Sequence, residues 1–254
     1  MTFFGEILPV VSRAVDEDEK PNLVPEIVWK SLFSYNSLDK DVDLLIVAVG
    51  GHACDFIESY ASYDSDLLGS FFEQIQLFST DTLQVKEFGK VYVKSINDKT
   101  VVTCVLHKNC CPENSWDLSN LIQNLTQGQI IKTLVFESKP RSSYQDEMDY
   151  KSNVESLKKV LYTTSYNTSK ECSNANLSSC LEQPNVLGEL SAAIITDCEI
   201  RNVSCKVCLC YSDGWNKELF EDLLNYDLHF MFNKKLMVSE ISTKHNSFSQ
   251  LLYV

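Results

Sequence analysis

A glycine-rich turn is the first place in the sequence where residue types and spacing could support chemistry. Gly50-Gly51-His52 follows an apolar run and precedes a helical pattern, so the backbone N–H groups of the turn could hold an anion such as phosphate. Neither of the common glycine-rich nucleotide-binding patterns surrounds it, and two glycines after a strand also simply permit a tight turn. An anion site and a purely structural turn therefore both stay open.

Cysteine residues could bind a metal where Cys205, Cys208 and Cys210 occur close together. The surrounding residues predict a strand, whose alternation puts Cys208 and Cys210 on one face and Cys205 on the other. No second cysteine or histidine pair has matching spacing, and the 4 histidines belong to no zinc-protease pattern. We therefore expect buried thiols, no metal, no cofactor and no catalytic group.

The last three residues, Leu252, Tyr253 and Val254, are the strongest candidates for binding another protein. They follow a polar stretch, residues 239–249, and offer a cleft a terminal carboxylate, a flat ring with a hydroxyl, and an apolar side chain. The alternative is that this tail packs as an edge strand of the chain's own sheet.

The composition divides the chain into three parts. Residues 1–22 are predicted to form a flexible acidic arm, 23–240 a single α/β/α domain, and 241–254 a carboxyl-terminal tail. Within the domain, a polar region at about 138–180 is predicted to be a long loop or insertion. In the arm, Phe3 and Phe4 either contact a partner or cover the domain's own sheet.

The chain is acidic: it has 254 residues and a formal net charge of -13. Such acidity argues against nucleic acid as a partner, because binding to a phosphate backbone needs a basic surface. The longest apolar run, Leu44 to Gly51, is too short to cross a membrane, and the amino terminus lacks the pattern of a secretory signal. We expect a cytoplasmic or nuclear protein with reduced cysteines and no contact with membrane or nucleic acid.

Alternating strand and helix patterns predict an α/β fold, specifically a three-layer α/β/α sandwich with a mostly parallel central sheet. The apolar, β-branched run Val42–Val49 predicts a strand buried on both faces. Residues 91–96 and 101–106 predict a hairpin whose turn lacks the usual glycine. Helices are predicted after Gly51, at 66–78, from Pro112 to a left-handed stop at Gly128, at 154–161, 190–197 and 219–224, and strands at 130–136 and 206–211.

Several separated stretches resemble the proteasome assembly chaperone 1 family. They are Thr2–Glu6, Asp43–Gly50, Leu181–Asn185, Leu190–Ile194, Leu209–Asp213 and the last three residues. The similarity spans most of the chain but excludes the polar region 138–180.

The resemblance implies an α/β/α chaperone rather than an enzyme, which forms a heterodimer with assembly chaperone 2 and promotes α-ring formation of the proteasome core particle. In that family a terminal hydrophobic-tyrosine-any motif enters pockets between α-subunits, which assigns this role to Leu252, Tyr253 and Val254. The alternative is a small-molecule enzyme of nucleoside-phosphorylase-like fold, motivated by the Gly50-Gly51 turn. Leu181–Asn185 either caps the following helix through Asn185 or contacts a partner.

Overall fold

A computed structural model describes residues 26–31, 38, 40–61, 65–77, 82–96, 98–107, 112–145, 156–166 and 179–213. Within these residues the chain forms three α-helices and nine strands, which join in one sheet. The strands are β1 (Glu26–Ser31), β2 (Leu44–Val49), β3 (Asp66–Leu77), β4 (Thr82–Ile96), β5 (Lys99–Leu106), β6 (Lys132–Lys139), β7 (Ser156–Tyr162), β8 (Ser179–Cys180) and β9 (Ser204–Ser212). The helices are α1 (Gly51–Ala61), α2 (Ser115–Gln123) and α3 (Glu189–Ile200).

The sheet is mixed, with the strand order β1-β3-β4-β5-β2-β6-β9-β7-β8. Strands β5, β2, β6 and β9 run parallel to one another, and β8 runs parallel to β7. Strands β1, β3, β4 and β5 pair antiparallel, as do β7 and β9. The α/β class is thus confirmed, but the prediction of a mostly parallel sheet is wrong, because half of the described pairings are antiparallel and these include the longest strands.

Strand β3 is the first reason for that error, since residues 66–78 were predicted to be a helix. The ladder between β3 and β4 shifts register between Leu67 and Gly69 and again between Phe71 and Phe72. Each irregularity of this kind breaks the two-residue alternation of a strand. The apolar residues of β3 consequently acquire a spacing that resembles one face of a helix.

Strand β7 is the second reason, because the pattern at 154–161 also predicted a helix. In β7 the side chains of Leu157 and Leu161 pack on one face of the sheet, whereas Val160 is buried on the other. A strand with apolar residues on both faces has no clean alternation, so its sequence cannot be separated from a short helix by period alone. The polar region 138–180 therefore contributes β7, and also the short strand β8, to the sheet.

Helices cover both faces of the sheet. On one face, here called the α1 face, Ala53, Phe56 and Ile57 of α1 are buried in one apolar cluster with β2. On the opposite face, α2 and α3 pack in a second cluster that includes Leu118 and Ile194. Every residue of β2 is buried, and this strand runs parallel to both neighbours, as its apolar run predicted.

Other predicted elements have mixed outcomes. The hairpin is confirmed as β4 and β5, and Asp98 takes the left-handed conformation (φ 63°) in its turn. Strand β6 and α3 are also confirmed. Helix α2 ends at Gln123, and Gly128 does not adopt the left-handed conformation expected of a helix stop. The predicted helix at 219–224, the arm 1–22 and the tail 241–254 lie outside the described residues.

The cysteines of β9 are placed as the alternation predicted, with Cys208 and Cys210 on the α1 face and Cys205 on the other. Seven cysteines lie in the described part of the chain; all are free thiols, and among them only Cys180 is exposed. Within these residues no group of three or more histidine, cysteine or acidic side chains could hold a metal ion. Among the helices described, none is long and apolar enough to cross a membrane.

Candidate functional site at the carboxyl edge of the sheet

The predicted protein-binding residues Phe3, Phe4 and Leu252–Val254 lie outside the described residues, so their role stays a prediction. The structure does describe the point where the chain leads towards the tail. Asp213 directly follows β9, which runs parallel to β6, β2 and β5, so all four strands end at one edge of the sheet. This carboxyl edge is where ligands of α/β proteins commonly bind.

The Gly50-Gly51 turn lies at this edge, and its geometry is explained by packing. Gly50 has a φ of 88°, and a Cβ at this position would lie 2.8 Å from the carbonyl oxygen of Ser138. The Ser138 hydroxyl also accepts a hydrogen bond from the Ala53 N–H at 3.2 Å. One of the first N–H groups of α1 therefore already has an acceptor within the protein, which favours the structural interpretation of the turn over an anion site.

The loop of residues 181–188, here called the 181–188 loop, lies at the same edge. Its backbone is attached at three points. The Leu181 N–H donates to the Val160 carbonyl at 3.0 Å. The Lys139 ammonium donates to the Val186 carbonyl at 2.8 Å, and the Gly188 N–H donates to the Glu137 carboxylate at 3.0 Å. Strands β6 and β7 thus hold both ends and the middle of the loop.

A group of charged and aromatic side chains, here called the Glu182 cluster, adds a fourth attachment. The Lys159 ammonium donates to both carboxylate oxygens of Glu182 at 2.7 Å, and the Tyr144 hydroxyl donates to the same carboxylate. Lys159 also lies 5.3 Å from the centre of the Tyr144 ring. Desolvation opposes ionisation of Glu182, but the hydrogen bonds from Lys159 and Tyr144 outweigh it and lower the pKa of this carboxyl.

The Asn185 side chain makes a fifth attachment of the 181–188 loop. Its side-chain oxygen accepts from the Gln145 N–H and its amide nitrogen donates to the Gln145 carbonyl, both at 2.7 Å. The residue that caps the amino end of α3 is instead Gly188. The prediction that Asn185 caps this helix is therefore wrong, because its side chain pairs with the backbone of residue 145.

The start of α3 is fixed by a buried carboxylate. Glu137 is only 4% exposed, and a Cβ at Gly188 would collide with its side chain. Burial raises the pKa of Glu137, although Lys139, Ser191 and the Gly188 N–H act in the opposite direction. Glycine at position 188 therefore allows the amino end of α3 to approach the Glu137 carboxylate, which accepts the hydrogen bond from the Gly188 N–H.

The last described residue is joined to the same edge. The Arg141 N–H donates to the Asp213 carboxylate at 2.8 Å, and the Arg141 guanidinium lies 5.0 Å from the centre of the Tyr144 ring. Residues 139–145, the 181–188 loop and residues 211–213 consequently meet at one place. Of these segments the sequence indicated Leu181–Asn185 and Leu209–Asp213, through a family resemblance. It did not indicate the contacts between the segments, whose partners are up to 72 positions apart.

A second group, the Glu58 cluster, lies on the α1 face. The Glu58 carboxylate accepts hydrogen bonds from Lys90 and from the Tyr92 hydroxyl, each at 3.0 Å, and lies 2.9 Å from the His107 imidazole. Desolvation again opposes ionisation, but Lys90, Tyr92 and His107 outweigh it and lower the pKa of Glu58. The pattern is that of a satisfied ion-pair network which fixes α1 on β4 and on His107, the residue directly after β5.

Comparison with known proteins decides the family. The family described as proteasome assembly chaperone 4 matches residues 25–252, which is nearly the whole chain. The chain belongs to this proteasome assembly chaperone family. The resemblance seen in the sequence alone is thereby confirmed.

Individual relatives of this chaperone family agree. The chain is 25% identical over 247 residues to "Proteasome assembly chaperone 1" of Xenopus laevis, covering 84% of this chain and 82% of that protein. It is 24% identical over 236 residues to "Proteasome assembly chaperone 1" of Danio rerio, covering 84% and 83%. The fold is similar to that of PbaA from Pyrococcus furiosus, described as an archaeal homolog of proteasome-assembly chaperone, with a TM-score of 0.55, 11% identity and coverage of 89% and 91%.

Proposed function

We propose that this chain, as a heterodimer with assembly chaperone 2, promotes formation of the α-ring of the proteasome core particle. In this proposal Leu252, Tyr253 and Val254 dock in pockets of the α-subunits, and the protein acts in the cytoplasm or nucleus without catalysing a reaction. The observation that carries the proposal is the match of residues 25–252 to the proteasome assembly chaperone family.

The length of the predicted tail supports a motif that works away from the domain. Residues 241–254 make up 14 positions, and the last three of them are the proposed docking residues. At about 3.3 Å per residue, an extended chain of that length spans roughly 45 Å. A tail of this length is long enough to reach a pocket outside the domain.

Two weak contacts with the same ring, one from the domain and one from the tail, give a higher combined affinity than either gives alone. Once the domain touches an α-subunit, the tail is held near its pocket at an effective concentration in about the millimolar range, so a short motif of low affinity is sufficient. Release then requires only that the mature ring offers a lower affinity than the assembling one. A chaperone with these properties needs binding surfaces and no reacting groups.

The proposal is tested with purified recombinant α-subunits and the heterodimer, comparing the intact chain with Tyr253→Ala. We expect the substitution to weaken binding to α-subunits about tenfold or more, because a docked aromatic ring is a typical hot spot. Binding to assembly chaperone 2 should be unchanged, since the heterodimer is expected to form through the domain.

The matched control is Phe248→Ala, which removes another aromatic side chain from the same segment but leaves the last three residues intact. This variant should bind α-subunits as the unmodified chain does. Equal affinity of the intact chain and Tyr253→Ala would contradict tail docking. Failure of the intact chain to bind any α-subunit would contradict the proposed function as a whole.

A further inference from the structure

We propose that Cys198 and Cys205 are a peroxide-sensitive thiol pair, in which hydrogen peroxide oxidises Cys198 and Cys205 then closes a disulfide with it. The observation that carries this inference is the meeting of four elements, α2, α3, β6 and β9, around the sulfur of Cys198. The inference goes beyond the proposed function and does not depend on it.

The turn between α3 and β9 explains why the two cysteines meet. Asn202 takes the left-handed conformation with a φ of 57°, and its N–H donates to the Glu199 carbonyl at 3.2 Å. The Val203 N–H donates to the Cys198 carbonyl at 2.8 Å. These two hydrogen bonds form a Schellman motif, which ends a helix and satisfies its last carbonyl groups. Strand β9 therefore begins close to the last turn of α3, with Cys205 as its second residue.

Three side chains direct donor groups at the Cys198 sulfur. The Gln123 amide of α2 donates at 3.4 Å, and the Cys205 thiol of β9 donates to the same atom. The Thr133 hydroxyl of β6 is buried, has no oxygen or nitrogen partner among the described residues, and interacts with this sulfur as well. Thr133 is paired with Cys205 in the parallel ladder, so both lie side by side under the helix. A buried anion is tolerated only where such donors replace the water it has lost.

These donors decide which thiol of the pair loses its proton first. The hydrogen bond from Cys205 has the largest effect and lowers the pKa of Cys198. With the other donors it outweighs burial and the charge of Asp197. The same hydrogen bond, burial and the charge of Cys198 raise the pKa of Cys205. Burial also raises the pKa of other core thiols, which are Cys54, Cys104 and Cys210.

The oxidation proceeds in two balanced steps. The Cys198 thiolate attacks one oxygen of hydrogen peroxide: an S–O bond forms, the O–O bond breaks, and the other oxygen takes up a proton and leaves as water. The Cys205 sulfur then attacks the sulfenic acid: an S–S bond forms, the S–O bond breaks, and the hydroxyl leaves as water with the proton of Cys205. Because the sulfenic acid is neutral, the charge of Cys198 no longer opposes ionisation of Cys205 in this step. Two thiols lose two electrons, and one peroxide becomes two waters.

The end of α3 gives peroxide a route to the pair. Cys198 and Cys205 are both 0% exposed. Residues 199–202, which follow Cys198 directly, are all exposed. The last turn of a helix opens more readily than its middle, so Cys198 can be reached while the sheet stays intact.

The test treats the full-length chain with hydrogen peroxide, alkylates the remaining thiols and maps the peptides by mass spectrometry. Trypsin and a glutamyl endopeptidase place Cys198 on fragment 190–199 and Cys205 on fragment 202–206. We expect a disulfide between these fragments to form at least about fivefold faster than Cys208 or Cys210 is modified. Both control cysteines lie on β9 and are 1% exposed, so they report on any general opening of the strand.

Two variants separate the steps of the reaction. In Cys205→Ser, oxidation of Cys198 should stop at the sulfenic acid, which dimedone traps on fragment 190–199. Gln123→Met removes one donor to the sulfur and keeps the length of the side chain, so it should slow the oxidation of Cys198 about threefold. A variant that is merely less stable would open more often and oxidise faster, so slower oxidation cannot result from lost stability.

Several results would overturn the inference. One is oxidation of Cys198 that is no faster than that of Cys208 and Cys210. Another is a disulfide that joins Cys198 to a cysteine other than Cys205, or a sulfenic acid that persists on Cys198 in the unmodified chain. Oxidation of Cys198 in Gln123→Met that is as fast as in the unmodified chain, or faster, would also contradict it. Binding to α-subunits is not measured in any of these experiments, so their failure leaves the proposed function standing.

Discussion

Glu58 and Glu182 each accept hydrogen bonds from a lysine and a tyrosine, on opposite faces of the same sheet. Their surroundings differ in which partner is buried. In the Glu58 cluster the carboxylate is the less accessible member, with side-chain exposures of 24% for Glu58 and 37% for Lys90. In the Glu182 cluster the order is reversed, with 47% for Glu182 and 7% for Lys159.

Because of this difference, the exposure of a carboxylate is a poor guide to its contribution to the stability of the fold. When Glu58 is removed, Lys90 can turn to water. When Glu182 is removed, the Lys159 ammonium stays in a site with little access to water, and its charge loses the compensating carboxylate. The more exposed acid should therefore be the more costly one to replace.

The two clusters also fix different kinds of structure. Glu58 belongs to α1, whose position is already determined by the buried side chains of Phe56 and Ile57. Glu182 belongs to a loop without regular backbone hydrogen bonding, whose leucines at 181 and 187 are only partly buried. The same combination of side chains thus reinforces a helix in one place and orders a loop in the other.

The largest expected effect is that of Glu182→Gln. We expect it to lower the free energy of unfolding by about 2 kcal/mol, because the buried Lys159 ammonium loses the negative charge of Glu182 while water screens part of the lost attraction. Urea unfolding followed by far-UV circular dichroism measures this value. The comparison of the clusters would be wrong if this variant were as stable as the unmodified chain.

The corresponding change in the other cluster, Glu58→Gln, should cost about 1 kcal/mol or less. Gln keeps one acceptor for Lys90 or Tyr92, and both lysine and histidine partners are partly in water. The same urea experiment gives the ratio between the two variants. A larger loss here than in Glu182→Gln would reverse the conclusion about burial.

The contribution of Glu58 should depend on pH in a defined direction. Because its folded-state pKa is lowered, its stabilising effect is present above the unfolded pKa of about 4.3 and is lost as pH falls through the folded value. The difference in unfolding free energy between the unmodified chain and Glu58→Gln should shrink below about pH 4, as the Glu58 carboxylate takes up a proton. Urea titrations at about pH 5, 4 and 3 provide the test, and a difference that grows from about pH 5 to about pH 3 would contradict the assignment.

The smallest effects are expected from Tyr92→Phe and Tyr144→Phe. Each removes one hydroxyl donor to a carboxylate and leaves the ring in place, so each should cost roughly 0.5 kcal/mol. If the burial of the lysine accounts for the difference between the clusters, the two tyrosine variants should be equal within error. A clear inequality would mean that the tyrosines contribute to that difference as well.

The parts of the fold that the sequence predicted are those with a clean period or an uninterrupted apolar run. The β4–β5 hairpin, α3 and the faces of the β9 cysteines follow from alternation or helical spacing, and β2 follows from its continuous apolar run. Strands β3 and β7 do not, because register shifts in one and two-faced burial in the other disturb the alternation. Since both of these strands pair antiparallel with a neighbour, missing them also produced the wrong expectation for the sheet.

The candidate site was less predictable. The Gly50-Gly51 turn is visible in the sequence, but its acceptor, Ser138, comes from a strand 85 positions away from Ala53. The same is true of Glu182, whose partners Lys159 and Tyr144 precede it by 23 and 38 positions. Contacts of this range are set by the order of strands in the sheet, and no local pattern encodes them.

The exposed thiol of Cys180 offers a way to observe the loop directly. It lies in β8, immediately before Leu181, whereas the other described cysteines are buried. With Cys110, Cys111 and Cys172 replaced by serine, a maleimide fluorophore attached at Cys180 would report on the environment of the neighbouring loop. Its emission and anisotropy could then be followed in real time as purified α-subunits are added.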